Sequence, residues 1–436
     1  MLLLNELRIL ALLKLFFRKI KNLGNEGFFH ILVGNVLVKM VAFVSSIVVV
    51  RLVSKQDYAY LGYADNLYQY INLFSGLGLS TAILKFCSPN ESKGVNKFYY
   101  DLAMKVGVLF QLGISLLMVI GVYIADIPFP NARGIVLVLF LYPAMTQIVT
   151  TMQNYIRSQL NNKLFARIGV IQTIILFISS VILASLLGIF GVAISRYISL
   201  IAVIAIAYRF INENLPSDTL AIKPEKDELA FFWKLSISMM LANLFSMIMP
   251  INEMFLINNH IKDEIISANY KVAVLIPSQI VFITNSVVVY LFPKIAQMSN
   301  MLKNVIKVTV NTELVLLGII VLVCIMGYVL CPFLIITVYG DRYADAIELS
   351  KVYWLVYGIN AGFRMLPMNV IPAIGSTIFN SAVSVFSCIA HSIILNYLLA
   401  KYGIWGAPYA LIIVYVISGF AYWTYLIVKC IRPVRS

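Results

Sequence analysis

Gly188-Ile-Phe-Gly-Val-Ala193 and Gly403-Ile-Trp-Gly-Ala-Pro408 are two copies of one short pattern, 215 residues apart in a chain of 436. Each copy lies between two long apolar stretches, and the offset is about half of the chain. Both copies fall in outer loops when inner and outer loops are assigned alternately. Repeats of this kind have the same orientation and are related by an axis along the membrane normal. The pattern therefore predicts two halves of equal topology.

The composition of the whole chain around these two copies is that of a membrane protein. Hydrophobic residues make up 61% of the chain and charged residues 12%, whereas a soluble domain carries about 25% charged residues. A helix needs about 20 apolar residues to cross a bilayer. We therefore predict an all-α membrane protein with twelve transmembrane helices in two six-helix lobes around a central cavity. The predicted spans cover residues 30–52, 59–83, 102–124, 134–156, 168–187, 190–209, 233–257, 267–291, 306–330, 347–371, 378–399 and 406–428.

Polar segments flank and join the two predicted lobes. The longest polar connection contains Pro216, Pro224 and a run of mixed charge at 223–228, which is typical of a linker. The N-terminal segment mixes apolar and charged residues, so we expect an interfacial helix there rather than a signal peptide. The predicted divisions are an interfacial segment at 1–29, an N-lobe at 30–209, a cytoplasmic linker at 210–232, a C-lobe at 233–428 and a cytoplasmic tail at 429–436.

The Lys and Arg residues are distributed unequally between the two sides of the predicted membrane. The net charge is +14, and most of the 33 Lys and Arg residues lie in alternate loops and near the two ends of the chain. Cytoplasmic loops carry such an excess, so both termini are predicted to be cytoplasmic. A nucleic-acid-binding protein clusters its cations on one surface, whereas these are spread through short loops, so we expect no nucleic-acid partner. The five cysteines form neither a CxxC pair nor a Cys/His cluster, so no metal site, disulfide framework or cofactor is predicted.

Four of the cations inside the predicted spans are the first candidates for function. A charge at mid-membrane costs roughly 2.5–3.5 kcal/mol on insertion scales, so each should face a cavity or an ion-pair partner. The polar residues of these spans recur at helical spacing, which places them on one face. Cations suit a diphosphate, and amide side chains suit sugar hydroxyls. The predicted substrate-binding residues are Lys39, Arg196, Lys271 and Arg364, together with Asn35 and Gln69.

Three further residues, Asp65, Glu253 and His391, are predicted to couple transport to an ion. Two of them have an alternative role. Asp65 is also a suitable ion-pair partner for Lys39, and a lone histidine such as His391 often satisfies a neighbouring helix instead of titrating near neutral pH. Lys271 lies near the outer end of its span, where a lysine is able to extend to water.

Several motifs resemble those of polysaccharide flippases. In that family, span one ends in Arg-Leu, an acidic and an aromatic residue follow, and a polar span two comes next. The C-terminal half shows similar likenesses at the start and end of span eight, before span ten and at the last outer turn. The matching stretches are Arg51-Leu-Val-Ser-Lys-Gln-Asp57-Tyr58, Asn66, Gly76-Leu-Gly78, Ala268-Asn-Tyr-Lys-Val-Ala273, Leu291-Phe-Pro-Lys-Ile-Ala296, Tyr339-Gly340, Tyr343-Ala-Asp-Ala346 and Gly403-Ile-Trp-Gly-Ala407.

The resemblance implies an O-antigen flippase of the Wzx type, in the multidrug/oligosaccharidyl-lipid/polysaccharide exporter superfamily. Such a protein is not an enzyme. It moves undecaprenyl-diphosphate-linked oligosaccharide from the cytoplasmic to the periplasmic leaflet of the bacterial inner membrane by alternating access. The implied partners are this lipid-linked oligosaccharide, membrane lipids, H⁺ or Na⁺ as the coupling ion, and an O-antigen polymerase with its chain-length regulator.

Two other functions stay open. An ion-coupled multidrug antiporter of the same fold should favour carboxylates for cationic drugs, whereas Lys and Arg dominate the predicted spans. A membrane O-antigen polymerase should present a large outer loop with catalytic residues. The longest predicted outer connection, 331–346, is short and carries no obvious acid/base pair.

Overall fold

The computed structural model describes residues 28–87, 89, 91–298 and 301–431. Over these residues the chain forms helices joined by short turns, with no β-strand. Helices are expected for an apolar chain in lipid because each one satisfies its own backbone hydrogen bonds. Nearly all of the predicted interfacial segment at 1–29, and residues 432–436 of the predicted tail, lie outside the described residues.

Seven helices cover the first half of the described chain. A 3₁₀ turn, Ser75–Gly78, separates the second helix from the third. The side chain of Asn161 caps the seventh helix by accepting a hydrogen bond from the Leu164 amide at 3.1 Å. The seven helices are α1 (Phe28–Leu52), α2 (Lys55–Leu73), α3 (Leu79–Phe86), α4 (Lys93–Ile124), α5 (Arg133–Val138), α6 (Tyr142–Ser158) and α7 (Asn162–Asn214).

Eight helices cover the second half. Asp263 caps the second of them, because its carboxylate accepts a hydrogen bond from the Ile266 amide at 2.9 Å. A π-helical turn, Asn360–Arg364, joins two others. The eight helices are α8 (Lys226–Ile261), α9 (Glu264–Leu275), α10 (Val281–Gln297), α11 (Leu302–Tyr339), α12 (Ala346–Ile359), α13 (Met365–Ala373), α14 (Thr377–Tyr402) and α15 (Gly406–Ile431).

Six helical stretches among the described residues are long and apolar enough to cross a membrane. The count of twelve spans therefore stays a prediction. Two of the six stretches are more than 50 residues long, and each contains a break, at Gly188 or Gly403, where the backbone leaves the helical region. The six stretches are Lys93–Ile124, Pro130–Ser158, Asn162–Asn214, Glu264–Val288, Leu302–Tyr339 and Thr377–Cys430.

The two copies of the repeated pattern form turns of the same geometry. Gly188 has φ 57° and ψ −134°, and Gly403 has φ 57° and ψ −139°. In each turn, a Cβ atom added to the second glycine, Gly191 or Gly406, would collide with the backbone eight residues earlier. The shared pattern therefore corresponds to a shared backbone conformation that glycine alone adopts readily.

The predicted second span, 59–83, is not one continuous helix. Ser75, Gly76, Leu77 and Gly78 all have positive φ, between 41° and 73°, so the chain makes one left-handed turn between α2 and α3. Gly78 lies so close to the Ser236 carbonyl oxygen that an added Cβ would collide with it. The spacing of polar residues that predicted the span does not predict this break, because Ser236, which contacts Gly78, is far from it in the sequence.

The described chain divides into two compact units. The first contains residues 74–124 and 134–241 with the segment before residue 54, and the second contains residues 54–73, 125–133 and those after 241. The first unit has a core of aromatic rings around Phe232, whose centroid is 4.7 Å from that of Tyr99. The second has a core around Leu366 and Tyr422. The predicted lobe boundaries and the cavity lined by both lobes stay predictions.

Candidate functional site

Two predicted site residues, Asp65 and Lys271, form an ion pair in the second unit. The Lys271 Nζ atom lies 3.8 Å from Asp65 Oδ2, and the two side chains are 25% and 22% exposed. The same Nζ lies 4.3 Å from the centroid of the Tyr58 ring. An added Cβ on Gly62 would lie 3.2 Å from both Cδ and Nζ of Lys271. The lysine side chain therefore lies along one face of α2, where Tyr58, Gly62 and Asp65 follow helical spacing.

Glu253 and His391 also come together in this unit. Glu253 is 4% exposed and His391 is fully buried. The Glu253 Oε1 atom accepts hydrogen bonds from the hydroxyl groups of Tyr270 at 2.7 Å and Tyr353 at 3.3 Å. Its Oε2 atom lies 3.6 Å from Nε2 of His391. This arrangement is a buried carboxyl group and an imidazole that face each other, with two hydroxyl donors on the opposite oxygen.

Neighbouring contacts hold these helices side by side. The amide of Asn252 on α8 donates to the hydroxyl of Ser392 on α14 at 2.6 Å, and it accepts from the hydroxyl of Tyr70 on α2 at 3.2 Å. The amide of Asn66 on α2 donates to the Ile251 carbonyl at 2.8 Å. The last of these hydrogen bonds is buried and therefore costly to leave unmade, and the other two are partly buried. Together they align α2, α8 and α14 near Glu253.

Arg364 is held at the end of the π-helical turn. Its Nε donates to the Ser418 hydroxyl at 2.9 Å, and its terminal nitrogen donates to Asn360 Oδ1 at 3.1 Å. The guanidinium carbon lies 5.1 Å from the centroid of the Tyr415 ring and 5.9 Å from that of Tyr422. None of the ion pairs within the described part of the chain involves this arginine. The guanidinium is therefore oriented by neutral partners.

Two of the motifs that resemble polysaccharide flippases contact each other at the predicted outer side. Lys55 Nζ lies 3.9 Å from the carboxylate of Asp345 and 5.0 Å from the centroid of the Tyr343 ring. Burial lowers the pKa of Lys55, while Asp345 raises it and Arg342 lowers it further. The loop before α12 is thereby attached to the first turn of α2.

The other predicted site residues lie elsewhere. Lys39 on α1 and Gln69 on α2 are exposed. The guanidinium carbon of Arg196 on α7 lies 5.5 Å from the centroid of the Tyr142 ring. Asn35 belongs to α1, but its side chain lies outside the described residues. The structure thus pairs Asp65 with Lys271 and Glu253 with His391, while Lys39 and Arg196 belong to the first unit.

Sequence reasoning missed the neutral residues that complete these clusters. Tyr270 and Tyr353 bind Glu253, Ser418 orients Arg364, and Gly62 makes room for Lys271. A tyrosine among 25 in the chain, or a serine in a long apolar helix, gives no signal of its own. Among these residues, the sequence indicated only Tyr270 as a candidate, because it lies beside Lys271 in a motif that resembles one of the flippases.

Comparison with known proteins identifies the family. The family model described as "Polysaccharide biosynthesis protein" matches residues 25–299, which is more than half of the chain. No curated protein matches the chain.

Solved structures share the fold at low sequence identity. A structure of the lipid II flippase MurJ in an inward closed conformation has a TM-score of 0.69 at 15% identity, over 92% of this chain and 88% of that one. A MATE transporter of Vibrio cholerae has a TM-score of 0.61 at 16% identity, over 94% and 97% of the two chains. A MOP superfamily transporter of Pyrococcus furiosus has a TM-score of 0.57 at 13% identity, over 92% and 94%.

These likenesses confirm the predicted all-helical transporter fold. Together with the apolar helices, they make the chain a multi-pass membrane protein. Because the family model covers most of the chain, the protein belongs to the polysaccharide biosynthesis protein family.

Proposed function

We propose that the protein is a flippase for undecaprenyl-diphosphate-linked O-antigen repeat units. It moves them from the cytoplasmic to the periplasmic leaflet of the bacterial inner membrane, without catalysing a reaction on them. Membership of the polysaccharide biosynthesis family supports a saccharide cargo. The fold shared with a lipid II flippase supports a cargo linked to lipid. An O-antigen polymerase and its chain-length regulator would take up the product.

The orientation of Arg364 by neutral groups is the observation that carries this proposal. Ser418, Asn360 and two tyrosine rings hold the guanidinium, and none of the ion pairs among the described residues neutralises it. A charge inside a membrane protein is costly unless it binds a partner. Since arginine binds phosphate through two parallel hydrogen bonds, a diphosphate headgroup is a suitable partner for this side chain.

Transport of such a lipid requires protection of its head. A sugar and diphosphate headgroup cannot enter hydrocarbon without large losses of hydrogen bonding, whereas the polyprenyl tail remains in lipid. In the proposed mechanism, cationic and amide side chains replace water around the head while the protein opens to one side and then to the other. Lys39, Lys271, Arg196, Asn35 and Gln69 are the further residues proposed to bind it.

A multidrug antiporter is the second candidate, because it shares the fold. A site for cationic drugs needs an unneutralised carboxylate, but Lys271 pairs with Asp65. Glu253 is buried between tyrosines and a histidine, with 4% of its surface exposed. The contacts of Asp65 and Glu253 therefore favour an anionic cargo over a cationic one. Drug-resistance assays in an efflux-deficient strain separate the two functions.

Complementation tests the flippase proposal. The chain is expressed in a flippase-deficient bacterium that carries the matching O-unit genes, and O-antigen ladders on lipopolysaccharide are scored. We expect restored ladders with the unchanged protein, loss of ladders with Arg364→Ala, and reduced ladders with Arg364→Lys because the bidentate donors are lost. Arg209→Ala is the matched control, since the Arg209 side chain is 87% exposed and pairs with Glu213 on its own helix.

Two results would contradict the proposal. The first is an absence of ladders when folded protein and lipid-linked O-unit are both present in the membrane. The second is full ladders with Arg364→Ala, which would exclude the role proposed for the arginine.

A further inference from the structure

We propose that a membrane-facing groove between α14 and α15 binds one anionic phospholipid of the cytoplasmic leaflet. One acyl chain lies in the groove, and the phosphate group lies at Lys429, near the end of α15. This lipid stays in its leaflet and is not the proposed cargo. The proposal depends on the groove, on a lysine held by neutral groups, and on the alignment of the two along one helix pair.

The groove is an apolar cavity of about 300 Å³ in the second unit, a volume at the lower end of the range for small-molecule sites. Small side chains on both helices, such as Ala390 and Ala421, leave this space open. Phe386 and Ile417 in its lining are 67% and 57% exposed, whereas Ser418 is buried. Because water is unfavourable against such an apolar surface, the groove is suited to a hydrocarbon chain from the surrounding bilayer.

Lys429 lies at the end of the same helix pair and contacts neutral groups. Its Nζ donates a hydrogen bond to the hydroxyl of Ser376, which precedes α14, and lies 5.8 Å from the centroid of the Tyr425 ring. None of the ion pairs among the described residues involves this lysine. The sequence contains no Asp or Glu after Glu348, so α13, α14 and α15 supply no carboxylate. An anion from the membrane surface is therefore a suitable partner for the charge.

Contacts between α14 and α15 connect the lysine to the groove. Phe379 stacks on Tyr425 with ring centroids 3.8 Å apart, and the hydroxyl groups of Ser384 and Tyr422 lie 3.3 Å apart. These two pairs follow the contact at Lys429 in antiparallel register, and the groove begins beside the second pair. The cation and the apolar groove therefore belong to one continuous helix interface.

The dimensions of this interface match a phospholipid. The α14 residues that line the groove run from Ala382 to Ile394, which is about 18 Å at 1.5 Å per residue. One leaflet contributes about 15 Å of hydrocarbon, so the groove is long enough for an acyl chain. Ala382 lies about 9 Å along the helix from Ser376. This distance leaves room for the glycerol and ester groups between the chain and a phosphate at Lys429.

The predicted orientation places the site in the cytoplasmic leaflet. Lys429 is the first residue of the predicted cytoplasmic tail, and the stacked rings of Phe379 and Tyr425 beside it are of the kind found at headgroup level. The surface of this leaflet is negative. A phosphate with no ammonium of its own attracts the lysine, whereas a zwitterionic headgroup would bring a second positive charge close to it. The charge of the site therefore favours an anionic lipid.

The polyprenyl chain of the proposed cargo is the other lipid that would suit an apolar groove. A resident phospholipid fits better, because a phosphate at Lys429 stays at the membrane surface, whereas the cargo phosphates must leave that surface. A chain in the groove would lie against Ser418, whose hydroxyl accepts a hydrogen bond from Arg364 at 2.9 Å. This link between the bound lipid and transport rests on the proposed function, but the binding of the lipid does not.

Photo-crosslinking in vesicles tests the proposal without any cargo. The full-length protein is reconstituted in phosphatidylcholine vesicles with a small fraction of a probe, which is phosphatidylglycerol or phosphatidylcholine with a diazirine in one acyl chain. Labelled peptides are mapped by mass spectrometry. We expect the phosphatidylglycerol probe to label 382–394 and 414–421 more strongly than the phosphatidylcholine probe does. Lys429→Ala should lower this labelling about fivefold, because the phosphate loses its ammonium partner, and Lys429→Arg should retain it.

Two further variants separate the charge from the groove. Lys303→Ala removes an exposed lysine at the start of α11, and this matched control should leave the labelling of the groove unchanged. Ala390→Phe should lower the labelling by both probes, because the ring fills the groove. All variants are compared by size-exclusion chromatography. A Lys429→Ala protein that does not fold is replaced by Lys429→Gln, which also lacks the charge and should show the same loss.

Three results would overturn the proposal. The first is equal labelling of the groove by the two probes, and the second is full labelling in a folded Lys429→Ala protein. The third is displacement of the phosphatidylglycerol probe by unlabelled undecaprenyl phosphate and not by unlabelled phosphatidylglycerol, because the groove would then bind the chain of the cargo.

The flippase assay is scored separately from the labelling. A failed flippase assay with the expected labelling would contradict the proposed cargo and leave the lipid site established. Restored O-antigen ladders without selective labelling would overturn the lipid site and leave the proposed function standing.

Discussion

At the scale of single residues, the ion pair of Asp65 and Lys271 depends on a residue without a side chain. Lys271 reaches Asp65 by lying across Gly62 on α2, beside the ring of Tyr58. The sequence identified both charges as unusual in a membrane span, because such charges need partners. It did not identify them as partners of each other, since they are about 200 residues apart and many pairings were open.

A double-mutant cycle measures this pair. We expect Lys271→Met and Asp65→Asn each to lower the free energy of unfolding, and the double variant to be less destabilised than the sum of the two. The coupling should be about 1 kcal/mol, at the upper end of the range for exposed pairs, because three quarters of each side chain is buried. Unfolding in mixed detergent micelles gives the three differences. Additive effects would show that the two charges do not interact.

A second residue-scale prediction concerns Gly62. A Cβ at this position would lie 3.2 Å from two atoms at the end of the Lys271 side chain. We expect Gly62→Ala to be tolerated after a small shift of the lysine, and Gly62→Leu to displace the lysine and remove the coupling to Asp65. The same thermodynamic cycle, repeated in the Gly62→Leu background, checks this. An unchanged coupling there would contradict the role given to the glycine.

At the scale of elements, the left-handed turn between α2 and α3 is set by packing. Four successive residues have positive φ, and two of them, Ser75 and Leu77, are not glycine. Each such non-glycine residue costs roughly 1–2 kcal/mol, so the surrounding contacts must hold the turn. Gln147 packs directly on Gly76, and the Ser236 carbonyl oxygen lies against Gly78.

Replacement of Gly78 tests this account of the turn. We expect Gly78→Ala to destabilise the protein by about 3 kcal/mol or more, because its Cβ would meet the Ser236 backbone and backbone cannot move aside cheaply. Gly113→Ala in α4 is the control, since nothing lies within 4 Å of its added Cβ. There we expect a small gain of about 0.5–1 kcal/mol. Equal effects at both glycines would contradict the packing explanation.

The two turns at Gly188 and Gly403 provide a comparison between the halves of the chain. Both glycines have a positive φ with an extended ψ, a region that costs other residues about 1–3 kcal/mol. We therefore expect Gly188→Ala and Gly403→Ala to destabilise by similar amounts. Thermal unfolding of the two variants in one detergent checks the equality. A large effect at only one of them would show that the halves do not use their shared pattern in the same way.

At the scale of the whole molecule, the distribution of Lys and Arg predicts the orientation in the membrane. The cationic loops are expected to face the cytoplasm. A green fluorescent protein fused after Ser436 should be fluorescent, and alkaline phosphatase fused after Lys262 should be active. The reverse pattern at both positions would invert the predicted topology, and a mismatch at one position would change the predicted number of spans.

The sequence by itself determined the class of the protein. Its composition, the spacing of its apolar stretches and the repeated glycine pattern predicted an all-helical membrane protein, because a chain in lipid must satisfy its backbone within helices. Because charges inside a membrane are costly and rarely accidental, the sequence also predicted candidate site residues, whose roles stay predictions. These residues are Lys39, Asp65, Arg196, Glu253, Lys271, Arg364 and His391. The resemblance to polysaccharide flippases agrees with the polysaccharide biosynthesis protein family that the family model shows.

Only the tertiary structure decided which side chains the intramembrane charges contact and where the predicted second span is interrupted. It paired Lys271 with Asp65 and Glu253 with His391, placed Tyr270 and Tyr353 on the carboxylate, and interrupted the predicted second span at Ser75–Gly78. Helical periodicity shows which face of a helix is polar, but not which helix that face meets. The pairings and the left-handed turn depend on contacts between distant parts of the chain, and local sequence does not encode those contacts.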